Sequence, residues 1–181
     1  MRRRARSLAL TFPRPYCNFN SGVDFPPHKM TAEGSVVEVV FESDLKNVEM
    51  AEEVTRRVSS TAGFDEDEQH RIDMAVHESV INAIWHGNKN DPTKQVRLRF
   101  HIFGDRLEIR VRDQGNGYDP NSIPDPLSQE NLLSVSGRGI FLIRTFMDEY
   151  RVEKVPDGGT EVILVKRMNS NNSDQSRREV P

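Results

Sequence analysis

The sequence predicts an α/β two-layer sandwich in which helices cover one face of a mixed or antiparallel sheet. Three observations lead to this fold class. One strand comes first, two amphipathic helical stretches come after it, and then two β-hairpins with a third helical stretch between them. Hairpins place neighbouring strands antiparallel, and helices bury their apolar stripes against a shared sheet.

Composition and charge limit the function classes. The 181 residues are 35% apolar and 29% charged, which suits one modest domain. The longest apolar run ends at Arg144 and is too short for a membrane-spanning helix. The single cysteine, Cys17, excludes a disulfide framework and a cysteine-built metal site. A reducing, cytoplasmic setting without membrane contact is therefore expected.

The two ends differ from the middle of the chain. Residues 1–29 carry four prolines and a net charge of +5, which leaves −8 on the rest. We expect a disordered basic arm there, or a true start at Met30. Residues 30–168 then form the domain, and residues 169–181 a disordered polar tail. A domain this acidic is not expected to bind nucleic acid directly through its surface.

The first elements are a strand and a helix. β-Branched residues predict a short strand over residues 36–41. Asp44 is a suitable N-cap for a helix over residues 45–60, and Gly63 ends it. The inward face of this helix consists of Val48, Ala51, Val54 and Val58.

A second helix is predicted after Asp65, which forms a capping pattern with Glu68. It extends to His86, and Gly87 ends it. Its core stripe consists of Ile72, Ala75, Val76, Val80 and Ala83.

The second half is built from hairpins. Apolar and polar residues alternate over residues 96–102 and 107–111, around a turn at Gly104, so one face of this hairpin is wet. Residues 114–136 predict a long loop, and such loops are typically functional lids or disordered. The remaining elements are a helix over residues 138–147 and a hairpin with strands over residues 150–155 and 160–166.

The second helix carries a polar pair that could perform chemistry. Glu78 and Asn82 lie one turn apart at the margin of the core stripe, with His86 near them. An amide oxygen there suits a hard metal ion, and a carboxylate can orient a water or accept a proton. An exposed polar turn is the alternative, and on spacing alone the more common one. A zinc-protease motif is excluded because residue 81 is Ile.

A second candidate lies where a strand ends. Asp113 is followed by Gly115 and Gly117, which permit close backbone approach to a ligand. The carboxylate can accept a hydrogen bond from an exocyclic amine such as that of adenine. Thr160, after Gly159, could place its hydroxyl on the same ligand. A plain turn and an ordinary strand threonine are the alternatives.

A third candidate opens the last predicted helix. Gly137, Arg138 and Gly139 would offer free backbone N–H groups and a positive charge to an anion. A glycine hinge with an exposed arginine is the alternative. The P-loop, the complete dinucleotide fingerprint and the protein-kinase motifs are absent from the sequence. A bound nucleotide would therefore need a different cradle.

Taken together and in order, these segments resemble the GHKL ATPase superfamily. Glu78-x-x-x-Asn82-Ala83 with His86-Gly87 is similar to its N box. Asp113-x-Gly115-x-Gly117 and Gly137-Arg138-Gly139 are similar to its two glycine boxes, and Gly159-Thr160 to a late element near the adenine. The likeness covers about residues 35–167 and is strongest to bacterial anti-sigma factor serine kinases. That narrower likeness includes Asp125-Pro126-Leu127, Glu130-Asn131-Leu132 and Met147-Asp148-Glu149.

The resemblance implies a Bergerat fold that binds Mg-ATP. It also implies a kinase, often homodimeric, that sequesters a sigma factor and phosphorylates a serine on a STAS-domain antagonist. By position, Asn82 would coordinate Mg²⁺ and Glu78 would act as the base or orient the attacking hydroxyl. Asp113 would bind the adenine amine, with Thr160 beside it.

The other motif residues would line the nucleotide. The resemblance assigns the ring to Gly115 and Gly117, the phosphates under the lid to Gly137, Arg138 and Gly139, and the rest of the N box to His86 and Gly87.

Three other functions are weighed beside a serine kinase. A binding switch would hold ATP and a partner without transferring phosphate, and the intact Glu78 argues against it. A detached histidine-kinase catalytic domain would need a phospho-acceptor helix, but His28 lies in a proline-rich stretch and His70 inside the domain. DNA binding through the arm would require residues 1–29 to be part of the native protein.

Overall fold

The computed structural model describes residues 34–116 and 135–168, and for residues 135–138 it describes the backbone alone. The predicted arm and tail, Gly117, most of the predicted loop and the side chain of Arg138 lie outside the described residues.

The elements have the predicted order. The helices are α1 (Val48–Ala62), preceded by a 3₁₀ turn (Leu45–Asn47), α2 (Glu66–Asn82), continued by a π-helical turn (Ala83–Gly87), and α3 (Val135–Phe146). The strands are β1 (Ser35–Glu42), β2 (Gln95–Ile102), β3 (Arg106–Arg112), β4 (Glu149–Lys154) and β5 (Thr160–Arg167).

The five strands form one sheet in the order β1-β2-β3-β5-β4, and every neighbouring pair is antiparallel. The alternating pattern of the first hairpin predicted its two faces correctly. Leu98, Phe100 and Ile109 are fully buried on the helix-covered face. The opposite face carries charged residues, such as Arg99 paired with Glu38. The predicted two-layer sandwich is confirmed, with the antiparallel form of its sheet.

The helix caps act largely as their sequences predict. Asp65 Oδ1 accepts from the Glu68 amide at 2.9 Å, and Gly63 ends α1 with a φ of +92°. Asp44 accepts from the Lys46 amide at 3.0 Å, but it caps the 3₁₀ turn and not α1 itself. The first predicted helix therefore begins with one tighter turn, a common feature of helix N-termini.

The core lies between α2 and the sheet. The predicted stripe of α2 is confirmed, with four of its five residues at 0% exposure and Ala83 at 6%. Burying a large aliphatic side chain contributes about 1.5–3 kcal/mol, so this stripe fixes α2 on the sheet. A buried ion pair adds orientation, since Lys166 of β5 lies 2.7 Å from Glu68 and donates to the Phe146 carbonyl. It links the start of α2 to the end of α3.

A membrane-spanning helix would have to be longer and more apolar than any helix in the described parts of the chain.

Candidate functional site

A buried carboxylate lies at the end of β3. Asp113 is 5% exposed, and its Oδ1 accepts from the Gly115 amide at 2.8 Å and the Thr160 amide at 3.1 Å. Its own amide donates to the Thr160 carbonyl at 3.0 Å, which extends the ladder with β5 by one residue. The structure thus brings together Asp113, Gly115 and Thr160, which the sequence placed in one candidate site.

The environment of Asp113 sets its protonation. Burial raises the pKa of this carboxyl above its ordinary value, and hydrogen bonds from Gly115 and Thr160 oppose that shift. A buried carboxylate held by two backbone amides is strongly oriented. It is a fixed acceptor for a ligand that reaches it with a donor.

Three glycines allow the backbone to close around this carboxylate. A Cβ on Gly87 would overlap the Asp113 carboxyl group, and one on Gly115 would overlap the Gly87 carbonyl. A Cβ on Gly159 would overlap the Asp113 carbonyl, and Gly159 also has a φ of +89°. The end of α2, the end of β3 and the turn before β5 therefore meet at a spacing that only glycine permits.

The polar pair of α2 lies at the core margin, as predicted. Glu78 and Asn82 are both half-buried. The Glu78 carboxylate rests against α3, where a Cβ on Gly139 would overlap its Oε2. Within residues 34–116 and 139–168, neither Glu78 nor Asn82 has a hydrogen bond or ion pair through its side chain. Among these residues, both side chains keep their hydrogen-bonding capacity for another group.

The helical stretch ends at Gly87, as predicted, but its last turn is not α-helical. Residues Ala83–Gly87 form a π-helical turn, closed by the Asn88 amide donating to the Ala83 carbonyl at 2.8 Å. Beyond the turn, Lys89 and Asn90 adopt positive φ angles of 57° and 55°. The extra residue of a π turn rotates the residues after it about the helix axis, and π turns are frequent at functional sites. Here the turn leaves His86 exposed and sets Gly87 against Asp113.

Asn88 and Gln114 are structural residues that the sequence motifs did not reveal. Asn88 is fully buried and hydrogen bonds to both Gln95 and Gln114. The available signal was an asparagine directly after a helix-ending glycine, since asparagine side chains readily bond to nearby backbone.

The histidine next to Glu78 in the sequence, His77, contacts a different helix. His77 points away from Glu78 and lies 2.6 Å from Glu52 of α1 through Nδ1. This agrees with the exclusion of a zinc-protease site. In the described parts of the chain there is no cluster of three metal-ligating His, Cys, Asp or Glu side chains. A metal ion at Asn82 would therefore not be held by such a cluster from these parts of the chain, and phosphate oxygens and water are ligands of the kind it would take.

Comparisons with known proteins match this architecture. Residues 41–166 match the family model described as "Histidine kinase-like ATPase domain". The chain is 37% identical to "Serine-protein kinase RsbW" of Bacillus licheniformis over 123 residues, which cover 65% of this chain and 76% of the relative. It is 34% identical to the protein of that name from Bacillus subtilis, with the same coverage. Identity to the Listeria innocua protein of that name is 26% over 129 residues, 68% of this chain and 81% of the relative.

A solved structure shows the same fold. The RsbU and RsbW domains of a Mycobacterium tuberculosis protein superpose with a TM-score of 0.54 at 18% identity. The match covers 74% of this chain, which spans about a third (32%) of that longer chain.

Proposed function

Because the chain belongs to the histidine kinase-like ATPase family, and within it to the serine-protein kinases of the RsbW type, we propose that it transfers the γ-phosphate of ATP to a serine of a STAS-domain antagonist and sequesters a sigma factor. The chain is a protein-serine kinase with an anti-sigma role, as its motifs predicted. The residue roles, the Mg²⁺ ion, the identity of both partners and the homodimer are the finer parts of this proposal.

One observation carries the proposal. The C-terminal part of α2 and the π-helical turn after it connect an enclosed carboxylate, Asp113, to the acid–amide pair Glu78 and Asn82, which has no partner among the described residues. Gly87 abuts Asp113, and Glu78 lies nine residues earlier, about 13 Å along a helix at 1.5 Å per residue. The purine and the terminal phosphate are the two ends of ATP. A site with a fixed acceptor at one end and a free acid at the other suits such a molecule.

The adenine end is the better defined. The Asp113 carboxylate would accept from the exocyclic amine of adenine, with Thr160 beside it. By the family resemblance, Gly115 and Gly117 would admit the ring. The close packing of Gly87 and Gly115 beside Asp113, where a side chain would collide with the carboxyl group or with the Gly87 carbonyl, supports a carboxylate held in one fixed position. Recognition of a buried polar group in this way favours adenine over a base that lacks the amine.

The phosphate end would be completed by the nucleotide. Asn82 offers a hard amide oxygen for Mg²⁺, which when bound neutralises charge on the phosphates. The backbone of Gly137 and Gly139, with Arg138, would hold the phosphates at the start of α3. His86 would lie at the exposed rim.

In the transfer step, Glu78 would accept the proton of the attacking serine hydroxyl. The serine oxygen forms a bond to the γ-phosphorus as the bond to ADP breaks, and ADP leaves with the electron pair. Positioning and charge neutralisation supply most of the catalysis in such reactions.

A cytoplasmic location and a homodimer complete the proposal. A kinase that uses ATP and holds a sigma factor acts where both are present. The dimer rests on the family resemblance, and light scattering of the full chain tests it.

The first experiment is calorimetric titration of the full chain with ATP, with and without MgCl₂, beside an Asn82→Ala variant. We expect saturable binding that Mg²⁺ strengthens, and loss of the Mg²⁺-dependent part in the variant. Equal loss with and without Mg²⁺ would remove Asn82 from the metal site. No binding by folded wild-type chain would overturn the nucleotide site.

The second experiment tracks phosphate from [γ-³²P]ATP onto purified STAS-domain proteins of the same source organism. Acid-stable label on serine, absent with Glu78→Gln, supports the kinase. ATP binding with no transfer to any of them would favour the binding switch. Acid-labile label would favour a histidine-kinase-like domain.

A further inference from the structure

Strands β2 and β3 separate next to the candidate site. The ladder between β2 and β3 ends at the pair Arg97 and Arg112. β2 nevertheless starts two residues earlier, at Gln95, which still pairs with Glu42 of β1 on its other side. Past Arg112 the chain keeps its ladder with β5, through the Asp113 amide. The backbone groups of Gln95 therefore face a gap that β3 no longer fills.

Two amide side chains fill this gap. Asn88 Nδ2 donates to the Gln95 carbonyl at 3.0 Å, and Gln114 Oε1 accepts from the Gln95 amide at 2.7 Å. Asn88 Oδ1 in turn accepts from the Gln114 amide at 2.8 Å. The two side chains replace the missing strand-to-strand bonds. Asn88 has 0% exposure, so water cannot take over its bonds without rearrangement.

Asn88 also forms hydrogen bonds with the two segments that lie on either side of the Asp113 carboxylate. Its backbone amide closes the π turn on Ala83, and its neighbour Gly87 touches Asp113. Its side chain accepts from the Gln114 amide. In the sequence Gln114 lies between Asp113 and Gly115, whose amide donates to the Asp113 carboxylate. A displacement of Asn88 would thus move the glycine and the loop on opposite sides of one carboxylate.

We propose that Asn88 is a positioning residue that sets the preference of the site for adenine by locking the end of α2 to the end of β3. This inference rests on the proposed function, because it concerns the same nucleotide site. Asn88 acts through Gly87, Asp113 and Gln114. A pure stability role would lower the melting temperature without changing which base is preferred.

The test measures base preference. The full chain and Asn88→Ala are titrated with Mg-ATP and Mg-GTP by calorimetry, at a temperature where both are folded. We expect the ratio of the two affinities to fall by about tenfold or more in the variant, the effect of about one lost hydrogen bond. Val58→Ala is the matched control, since it empties a buried site in α1. It should lower the melting temperature and leave the ratio unchanged.

Asn88→Asp provides a rescue experiment. When protonated, the new carboxyl group matches the amide in shape and can donate to the Gln95 carbonyl. When ionised it cannot donate. Measured relative to wild type at each pH, the variant's base preference should recover as the pH falls.

The outcomes separate this inference from the function. A wild-type chain that prefers ATP, with Asn88→Ala keeping the same preference, would overturn the positioning role and leave the kinase intact. The same conclusion would follow if the ratio of ATP affinity to GTP affinity fell no further in Asn88→Ala than in Val58→Ala. A folded wild type that binds neither nucleotide would overturn the nucleotide site and the inference with it.

Discussion

The two ends of the site differ in how much of them is built in the protein alone. Around Asp113, two backbone amides, three glycines and a buried asparagine fix the acceptor. Around Glu78 and Asn82, the side chains are half-buried and unengaged within the described residues. In the proposed site, the end that would recognise the base is therefore preorganised. The two side chains proposed to act at the phosphates have no partner among the described residues. Preorganisation lowers the cost of binding, while a late-assembled reactive end couples reaction to the correct substrate.

The preorganised end is built at the expense of stability. Burial raises the pKa of Asp113, which means that the folded protein resists the charged form. A group kept charged against its environment is typical of functional sites. The difference between the two ends therefore predicts that changes there separate binding, transfer and stability.

The largest effect is expected at the reactive end, from Glu78→Gln. The variant keeps the shape of the side chain but cannot accept the serine proton. We expect phosphate transfer to fall by about 10²–10⁴-fold, the usual contribution of a general base, while ATP affinity stays within about threefold. Transfer rates and calorimetry on the same preparations measure this. Glu49→Gln, at an exposed position of α1, is the control. Transfer at the wild-type rate would end the assignment of Glu78 as the base.

The fold was predictable because its signals are local and repeated. Alternation in β2 and β3 and the apolar stripe of α2 each depend on many residues, so single errors do not change the outcome. The type of the last helical turn was less predictable. The helical stretch ends at Gly87, as predicted, but its last five residues, Ala83–Gly87, form a π-helical turn. The missing side chain of Gly87 also permits its close contact with Asp113.

The candidate site residues came from two sources. Glu78, Asn82 and Asp113 were proposed from the spacing of polar residues and glycines together with the family resemblance, because spacing alone favoured ordinary turns. Asn88 and Gln114 were not proposed, because an asparagine after Gly87 does not by itself indicate that β2 and β3 separate there. The contact between Gly139 and Glu78 likewise depends on how α3 packs against α2.

At the preorganised end, Asp113→Asn should separate binding from stability. The amide oxygen can still accept from Gly115 and Thr160, but its NH₂ group would meet the adenine amine donor to donor. We expect ATP affinity to fall by about 100-fold, a loss in the range of a charged hydrogen bond plus the mismatch. The melting temperature should stay equal or rise, because a buried charge is removed. Asp157→Asn, which changes an exposed partner of Arg112, is the control. Unchanged affinity would remove Asp113 from the adenine pocket.

The pH dependence of the same carboxyl tests the physical cause. Binding needs the ionised form, so ATP affinity should fall as the pH drops through the raised pKa of Asp113, by up to about tenfold per pH unit below it. Stability should move the other way. With its pKa raised in the folded state, the native protein binds more protons than the unfolded chain between the ordinary and the raised pKa. The contribution of Asp113 to stability therefore grows as the pH falls through that window.

Other carboxyl groups also contribute to the pH dependence of the stability of the whole protein. The pKa values of Asp44, Glu53 and Asp91 are lowered by hydrogen bonds, so their protonation destabilises the fold at low pH. The measurement is therefore the difference between wild type and Asp113→Asn at each pH. If the stability of the two proteins changed in parallel with pH, the raised pKa of Asp113 would not be the cause of the pH dependence.

The smallest effect is expected from Gly139→Ala, and it contrasts with Gly159→Ala. The new Cβ at Gly139 meets the far end of the flexible Glu78 side chain, which can turn aside. Displacing that carboxylate from its preferred rotamer costs about 0.5–1.5 kcal/mol, so transfer should fall only about three- to tenfold with ATP affinity unchanged. At Gly159 the Cβ meets the backbone of Asp113, and a φ of +89° is strained for alanine, so ATP binding and stability should both fall. Transfer rates, calorimetry and thermal melts on the two variants compare a yielding contact with a rigid one. If Gly139→Ala lowered ATP affinity as much as Gly159→Ala does, the reactive end would be as fixed as the adenine end.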